Sequence, residues 1–167
     1  KIEEIIIPST VKSLTLNNNK ISNIDVRNNA NLTVLDLSNN LLEDIDVRNN
    51  PNLSILRFGL KTEKDTIDFN NNPKLKEVLI EGKENGKIKS LDFSNNPNLN
   101  ALSLKNLGIT NLNIENNIGL GTIFLENNNL NTIDLSKHKN IWYVELNNNN
   151  TQNMKLPNKN MVRVVES

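Results

Sequence analysis

The segment ANLTVLDLSNNLLEDIDVRNN at residues 30–50 recurs with small changes along almost the whole chain, at a spacing of about 21 residues. In it, Leu32, Leu35 and Leu37 lead to Asn40, and Leu42, Ile45 and Val47 lead to Asn50. A unit this short cannot bury its own apolar face. It must stack on its neighbours, so the core grows along an axis instead of around a centre. Each half ends in an apolar–polar alternation of period two, which puts its last two apolar residues on one face and the residues between them on the other. The second half repeats that strand signature and is too short for a stable helix. The expected fold is therefore all-β: a solenoid with two parallel β-sheets facing each other across a Leu/Ile core. Strands on both sides remove the spacing mismatch that bends a solenoid whose outer side is helical. The stack is expected to be nearly straight and β-helix-like, with about seven coils at roughly 4.8 Å each.

The repeats make a single domain over residues 1–167, with about seven full copies between a partial N-terminal repeat and a partial C-terminal strand. In KIEEIII, Ile2, Ile5 and Ile7 have the spacing of a repeat half, so the chain is expected to open inside a repeat, and the missing initiator Met fits a trimmed chain. Repeats one and two are regular. Repeat three, from Pro51, exceeds the regular spacing by one residue through GLKTEKDT, and repeat four, from Pro73, exceeds it by three through EGKENGK. Insertions in a solenoid leave from one edge, so these neighbours predict a charged knuckle between Lys61 and Lys89. Repeats five to seven return to register, with Leu107 in place of one Asn and His138 in place of another, and the pattern decays toward Lys159. Met161 and Val164 offer a last strand without a polar cap. Such an open edge is expected to be covered by more chain or by a partner.

The pattern L-x-x-L-x-L-x-x-N followed by L-x-x-L-D-L-x-x-N resembles the leucine-rich repeat proteins, in particular the bacterial, internalin-like type whose 21-residue repeat has a second half that echoes the first. The resemblance covers nearly the whole chain. It implies a rigid, non-enzymatic recognition scaffold that binds a protein partner and is often secreted or displayed on the bacterial surface. Usage rich in Asn and Ile and poor in Ala fits an AT-rich bacterial genome.

Asn makes up about a fifth of the residues. Its amide offers two donors and an acceptor for backbone groups that point inward at each bend, so stacked copies read as structural ladders. One ladder runs Asn19, Asn40, Asn128, Asn149, and the other Asn29, Asn50, Asn72, Asn96, Asn117. Pro51, Pro73 and Pro97 open repeats where a φ near −65° suits a turn. Sequons at Asn31, Asn52 and Asn149 follow almost automatically from Asn-rich turns and are expected to carry no sugar in a bacterium.

Lys plus Arg balance Asp plus Glu at 19 each, which removes the long-range attraction that a dedicated binder of nucleic acid or of an anionic membrane would use. No apolar run approaches the roughly 20 residues of a membrane span. Without cysteine there is no disulfide and no thiolate metal site. The sole histidine, His138, sits in an Asn-ladder slot and reads as a turn residue, not as a general base. No phosphate-cradling glycine loop or His-containing metal constellation is present. Neither enzyme activity, cofactor nor metal is expected.

The alternation also fixes what faces outward. On the first strand one row reads Ser13, Val34, Ile55, Glu77, Ala101, Thr122, Tyr143, and its neighbour Thr15, Asp36, Arg57, Leu79, Ser103, Phe124, Glu145. Apolar and aromatic residues on a flat, rigid sheet are the usual anchors of a protein interface. The candidate contacts are Ile55, Arg57, Leu79, Phe124, Tyr143 and Trp142, with the knuckle as a secondary surface. A solvated sheet with high β-propensity is the plain reading of the same row. Two other functions compete: a structural spacer or assembly unit that self-associates through open ends, and glycan binding through Trp142 and Tyr143. On the second strand, Asp25, Asp46, Asp68, Asp92, Asn113, Asp134 and Lys155 form a row whose like charges repel by roughly 1 kcal/mol per neighbouring pair. Arg27, Arg48, Ser94 and Ser136, two residues on, are placed to offset that repulsion. A structural role for this row is favoured over calcium binding, because the glycine-rich calcium turns of β-rolls are absent.

Overall fold

The computed structural model describes residues 5–61, 64–83, 86–158 and 162–166. Ile2, Lys159 and Met161 of the repeat pattern, and residues 62–63 and 84–85 of the knuckle, lie outside the described residues. No helix occurs among the described residues, and the chain winds as an all-β solenoid of about seven parallel-stranded turns. Its first strands are β1 (Ser13–Thr15), β2 (Val34–Leu42), β3 (Ile55–Leu60), β4 (Glu77–Glu81), β5 (Ser90–Asp92) and β6 (Ala101–Lys105). They are followed by β7 (Asn111–Asn113), β8 (Thr122–Phe124), β9 (Thr132–Asp134), β10 (Tyr143–Glu145), β11 (Asn153–Lys155) and β12 (Arg163–Val165).

The first halves of the repeats pair into one eight-stranded parallel sheet in the order β1-β2-β3-β4-β6-β8-β10-β12. Its register is the one the alternation requires: Val34 faces Ile55, then Glu77, Ala101, Thr122, Tyr143 and Arg163. The second halves form strand ladders in two pairs, β5 with β7 and β9 with β11. Between the two sides lies an apolar core in which Leu32, Leu35, Leu37, Leu53, Leu56 and Leu75 are fully buried. The two lengthened repeats fill their wider interior with Phe58, Phe69 and Phe93, where the regular repeats carry Leu, Ile or Val. Phe69 and Phe93 stack at 5.1 Å with their planes 10° apart.

The ladders carry the turns. In the first, the Asn40 amide donates to the Leu16 and Leu37 carbonyls at 2.8 and 3.1 Å, while its Oδ1 accepts from the Ile21 N–H at 3.0 Å. Asn128 does the same between Leu104 and Leu125, and its Oδ1 takes the N–H groups of both Leu107 and Ile109. That shared acceptor is how the rung survives where Leu107 replaces Asn. Immediately before each of these turns, Asn18, Asn39, Asn106, Asn127 and Asn148 adopt φ between 54° and 57°, a left-handed conformation that Asn tolerates better than other residues with a Cβ. In the second ladder Asn29 donates to the Pro8 carbonyl. Each ladder amide from Asn50 to Asn117 donates to two carbonyls of the preceding coil, as Asn96 does to Phe69 at 3.0 Å and Asn72 at 2.8 Å. His138 is buried in the same slot and meets the Ile114 carbonyl through Nε2 at 3.0 Å. A carbonyl only accepts, so Nε2 carries the proton.

The insertion of repeat four folds back on the coil that follows. Ile88 N–H reaches the Leu107 carbonyl at 3.0 Å and Gly82 N–H the Lys105 carbonyl at 2.8 Å. Gly86 and Gly108 then touch backbone to backbone, with Gly108 at φ +81°. Leu107 is thus a core residue under the inserted loop.

Candidate interaction face

Outward side chains of the eight-stranded sheet divide into a charged half and an aromatic half. Around β3, Arg57 is clamped by Glu77 at 2.6 Å and Asp36 at 3.3 Å. The hydrogen bond to Glu77 is the main reason the guanidinium is held above its ordinary pKa. Burial works to raise the Asp36 carboxyl, but hydrogen bonds from Ser38 and Arg57 overcome it and leave the group below its ordinary range. Ile55 and Leu79 are half-buried beside this network.

Across the small residues Ala101, Ser103 and Thr122 lies the aromatic half. Phe124 and Tyr143 are tilted neighbours with centroids 5.1 Å apart, and Trp142 meets Tyr143 edge-on at 5.9 Å. Trp142 is 59% exposed. Its ring lies over Gly121 of the preceding coil, where an added Cβ would make only ordinary contact with the indole at 3.5 Å. Lys105 lies 5.2 Å from the Phe124 ring centroid and pairs with Glu126, while Arg163 lies 5.8 Å from the Tyr143 centroid. Together Phe124, Trp142, Tyr143, Val162 and Arg163 line an open depression of about 620 Å³. The Tyr143 hydroxyl donates to Glu145 Oε2 at 3.0 Å, which is the first reason its pKa is raised.

Of the six candidate contacts, the structure gathers Phe124, Tyr143 and Trp142. Ile55, Arg57 and Leu79 stand apart: Ile55 and Tyr143 share a row but are four strands, or about 19 Å, from each other. Two groups that the sequence did not single out border the aromatic cluster. Glu126 Oε2 and Asn147 Oδ1 are buried without a hydrogen-bond partner. Lys64 of the knuckle is drawn back into an ion pair with Asp44.

The Asp row of the opposite side works as a set of turn caps. Oδ1 of Asp25, Asp46, Asp68, Asp92 and Asp134 accepts the backbone N–H two residues on, and Asn113 fills the same role at 3.3 Å. Arg27 and Arg48 close bidentate pairs on Asp25 and Asp46. Those arginine hydrogen bonds, and the Ser136 hydroxyl at Asp134, hold the three carboxyls at about 2. Depressed in the fold, each contributes stability that is present above the unfolded pKa near 4 and lost as pH falls toward 2. The denaturation midpoint is expected to drop over that window. At neutral pH, Asp46→Asn should keep the cap and lose only the Arg48 ion pair, whereas Asp46→Ala should lose both and cost about 1 kcal/mol more. Equal losses in urea melts of the two variants would rule out the capping role. Among the described residues no cluster of three metal-ligating side chains occurs.

No protein-family model and no curated protein matches the chain. Among solved structures it is similar to the functional domain of InlJ from Listeria monocytogenes, at 27% identity and a TM-score of 0.63 over 84% of this chain and 35% of that one. A leucine-rich repeat protein of Leptospira interrogans is 24% identical, with a TM-score of 0.70 over 85% of this chain and 38% of that one. The internalin InlF of Listeria monocytogenes is 19% identical, with a TM-score of 0.54 over 92% of this chain and 55% of that one. The chain therefore spans little more than a third of the first two proteins, and the last two likenesses bear on fold alone. The InlJ domain includes a cysteine ladder, whereas this chain has no cysteine and its ladders are of asparagine.

Proposed function

We infer that this chain, a leucine-rich repeat solenoid of about 21 residues per coil, is a non-enzymatic protein-binding scaffold of a bacterial secreted or surface protein. It recognises its partner through the outward face of the eight-stranded sheet, with Phe124, Tyr143 and Trp142 as the anchors. The observation that carries this reading is the packed but uncovered aromatic cluster around an open depression, on a sheet whose register a rigid core holds in place. Aromatic side chains contribute large contact area at little entropic cost, and interfaces concentrate their energy in such groups. Leu79 extends the surface, and Ile55 and Arg57 supply a second patch three strands from Phe124 and four from Tyr143.

A binding screen of the purified chain against extracellular proteins and glycans, run beside a Phe124→Ser/Tyr143→Ser double variant, tests the proposal. A protein ligand should lose at least about 100-fold in affinity with a variant that stays folded. Undiminished binding would move the site to the knuckle or an end of the solenoid. A glycan ligand with the same dependence would favour the sugar-stacking alternative, and no ligand at all would favour a spacer or assembly unit.

A further inference from the structure

The corner where Phe124, Tyr143 and Glu145 meet holds a carboxylate without a cation of its own. Glu145 is half-buried and held in place by the Tyr143 hydroxyl at 3.0 Å and the Asn147 amide at 3.3 Å, and no cation pairs with it among the described residues. One coil earlier stands Glu126, which continues the register of Phe124 with Glu145, as the bond from Asn127 N–H to the Asn147 carbonyl at 2.9 Å requires. Glu126 is 9% exposed, and Lys105 satisfies only its Oε1. Its Oε2, and Asn147 Oδ1 beside it, are buried acceptors that no donor meets. Lys105 and Arg163 match the two carboxylates in number, but neither pairs with Glu145: Lys105 is taken up by Glu126, and Arg163 lies 5.8 Å from the Tyr143 ring centroid.

Beside Glu145 lie two aromatic rings whose neighbours already include cations, Lys105 near Phe124 and Arg163 near Tyr143. An aromatic face next to an unmatched carboxylate is a site for a cation, and a planar guanidinium can stack on the ring while its N–H groups reach the carboxylate. We propose that this corner receives a basic side chain of the protein partner, arginine in preference to lysine, seated against Tyr143 and paired with Glu145. The proposal rests on the protein-binding reading of the sheet face and specifies the chemistry of the partner.

The probe is N-acetyl-arginine amide, titrated into the isotopically labelled chain to about 50 mM and followed by amide NMR shifts, with N-acetyl-citrulline amide as the uncharged match. Arginine amide should perturb Phe124 and residues 143–147 with half-saturation at about 10 mM, and citrulline amide should not. Glu145→Gln should weaken the arginine response at least about fivefold, and Tyr143→Phe, which keeps the ring but releases the carboxylate, should weaken it less. Lysine amide should bind more weakly than arginine amide. Equal response to arginine and citrulline, shifts that map elsewhere, an unaltered response in Glu145→Gln, or silence to about 50 mM would each overturn the proposal. Its failure is distinct from that of the binding reading. A protein ligand lost in the aromatic double variant but indifferent to Glu145→Gln keeps the reading and removes the basic side chain. An arginine site on a chain that binds no protein does the reverse.

Discussion

Alanine at Gly108 is expected to lower stability by about 3 kcal/mol or more, the largest loss from any single methyl group in the chain. Two costs coincide there. Gly108 has φ +81°, where a residue with a Cβ is strained by about 1–2 kcal/mol. That Cβ would also lie 2.0 Å from the Gly86 carbonyl oxygen and 2.8 Å from its carbon, so the inserted loop of repeat four would have to lift off the next coil. Lifting it strains the bond from Ile88 N–H to the Leu107 carbonyl and uncovers Leu107, which is 1% exposed. Gly119 is the matched control. Its added Cβ meets only the Leu99 carbonyl oxygen at 3.3 Å, and no left-handed φ is involved. Gly119→Ala should change stability by less than about 1 kcal/mol. Urea melts of the two variants decide the matter: similar midpoints would mean that the Gly86–Gly108 contact does not hold the loop.

The Gly86–Gly108 contact also marks where reading the sequence reached its limit. Period-two alternation placed Val34 beside Ile55 and Asp36 beside Arg57 because a one-residue slip would turn every Leu of the half-repeat into solvent. Register was therefore fixed by burial and could be read from the order of apolar and polar residues. The lengths of repeats three and four were equally plain, and so was the departure at Leu107. What joined them was not, since a loop of repeat four packing on the turn of repeat five is a contact between irregular segments that no period describes. The left-handed Asn residues were hidden for another reason. In runs such as NNN at residues 17–19 and 127–129, the repeat spacing assigns the ladder to Asn19 and Asn128, but only backbone geometry assigns the positive φ to Asn18 and Asn127.

The face followed the same division. Phe124 and Tyr143 were identified as outward neighbours from their row positions, and their rings do pack against each other. Arg57 has the same outward placement, but its guanidinium is taken up by Asp36 and Glu77. Whether a charged side chain is free or paired depends on rotamers across three strands, which one-strand patterning does not contain. Glu126 and Asn147 were missed because they follow the last alternating residue and enter the turn, where the rule of outward and inward positions stops applying.

Asn96→Ala is expected to cost about 2–3 kcal/mol, because Asn96 is fully buried and donates to two carbonyls, and a cavity would remain in its place. The second ladder uses only donors: Oδ1 of Asn50, Asn72, Asn96 and Asn117 has no partner, and neither has Nδ1 of His138. A histidine with its proton on Nε2 therefore meets the need at that slot, short of the second bond that Asn117 makes to the Asn96 carbonyl at 2.7 Å. His138→Asn should supply that bond toward the Asn117 carbonyl and raise stability by about 1 kcal/mol. The first ladder needs donor and acceptor at once, so Asn128→His should be markedly worse than Asn117→His. Asn96→Asp separates donor from shape, because an ionised carboxylate would face two carbonyl oxygens. Its folded pKa must rise above the unfolded value near 4, so the penalty relative to the parent is smallest below about pH 4 and grows as pH rises. That dependence is opposite in sign to that of Asp25, Asp46 and Asp134, which lose stability on acidification. Denaturant midpoints for the parent and Asn96→Asp at pH 3.5 and 7 provide the test. A penalty that does not change with pH would mean the rung is held by packing and not by its donors.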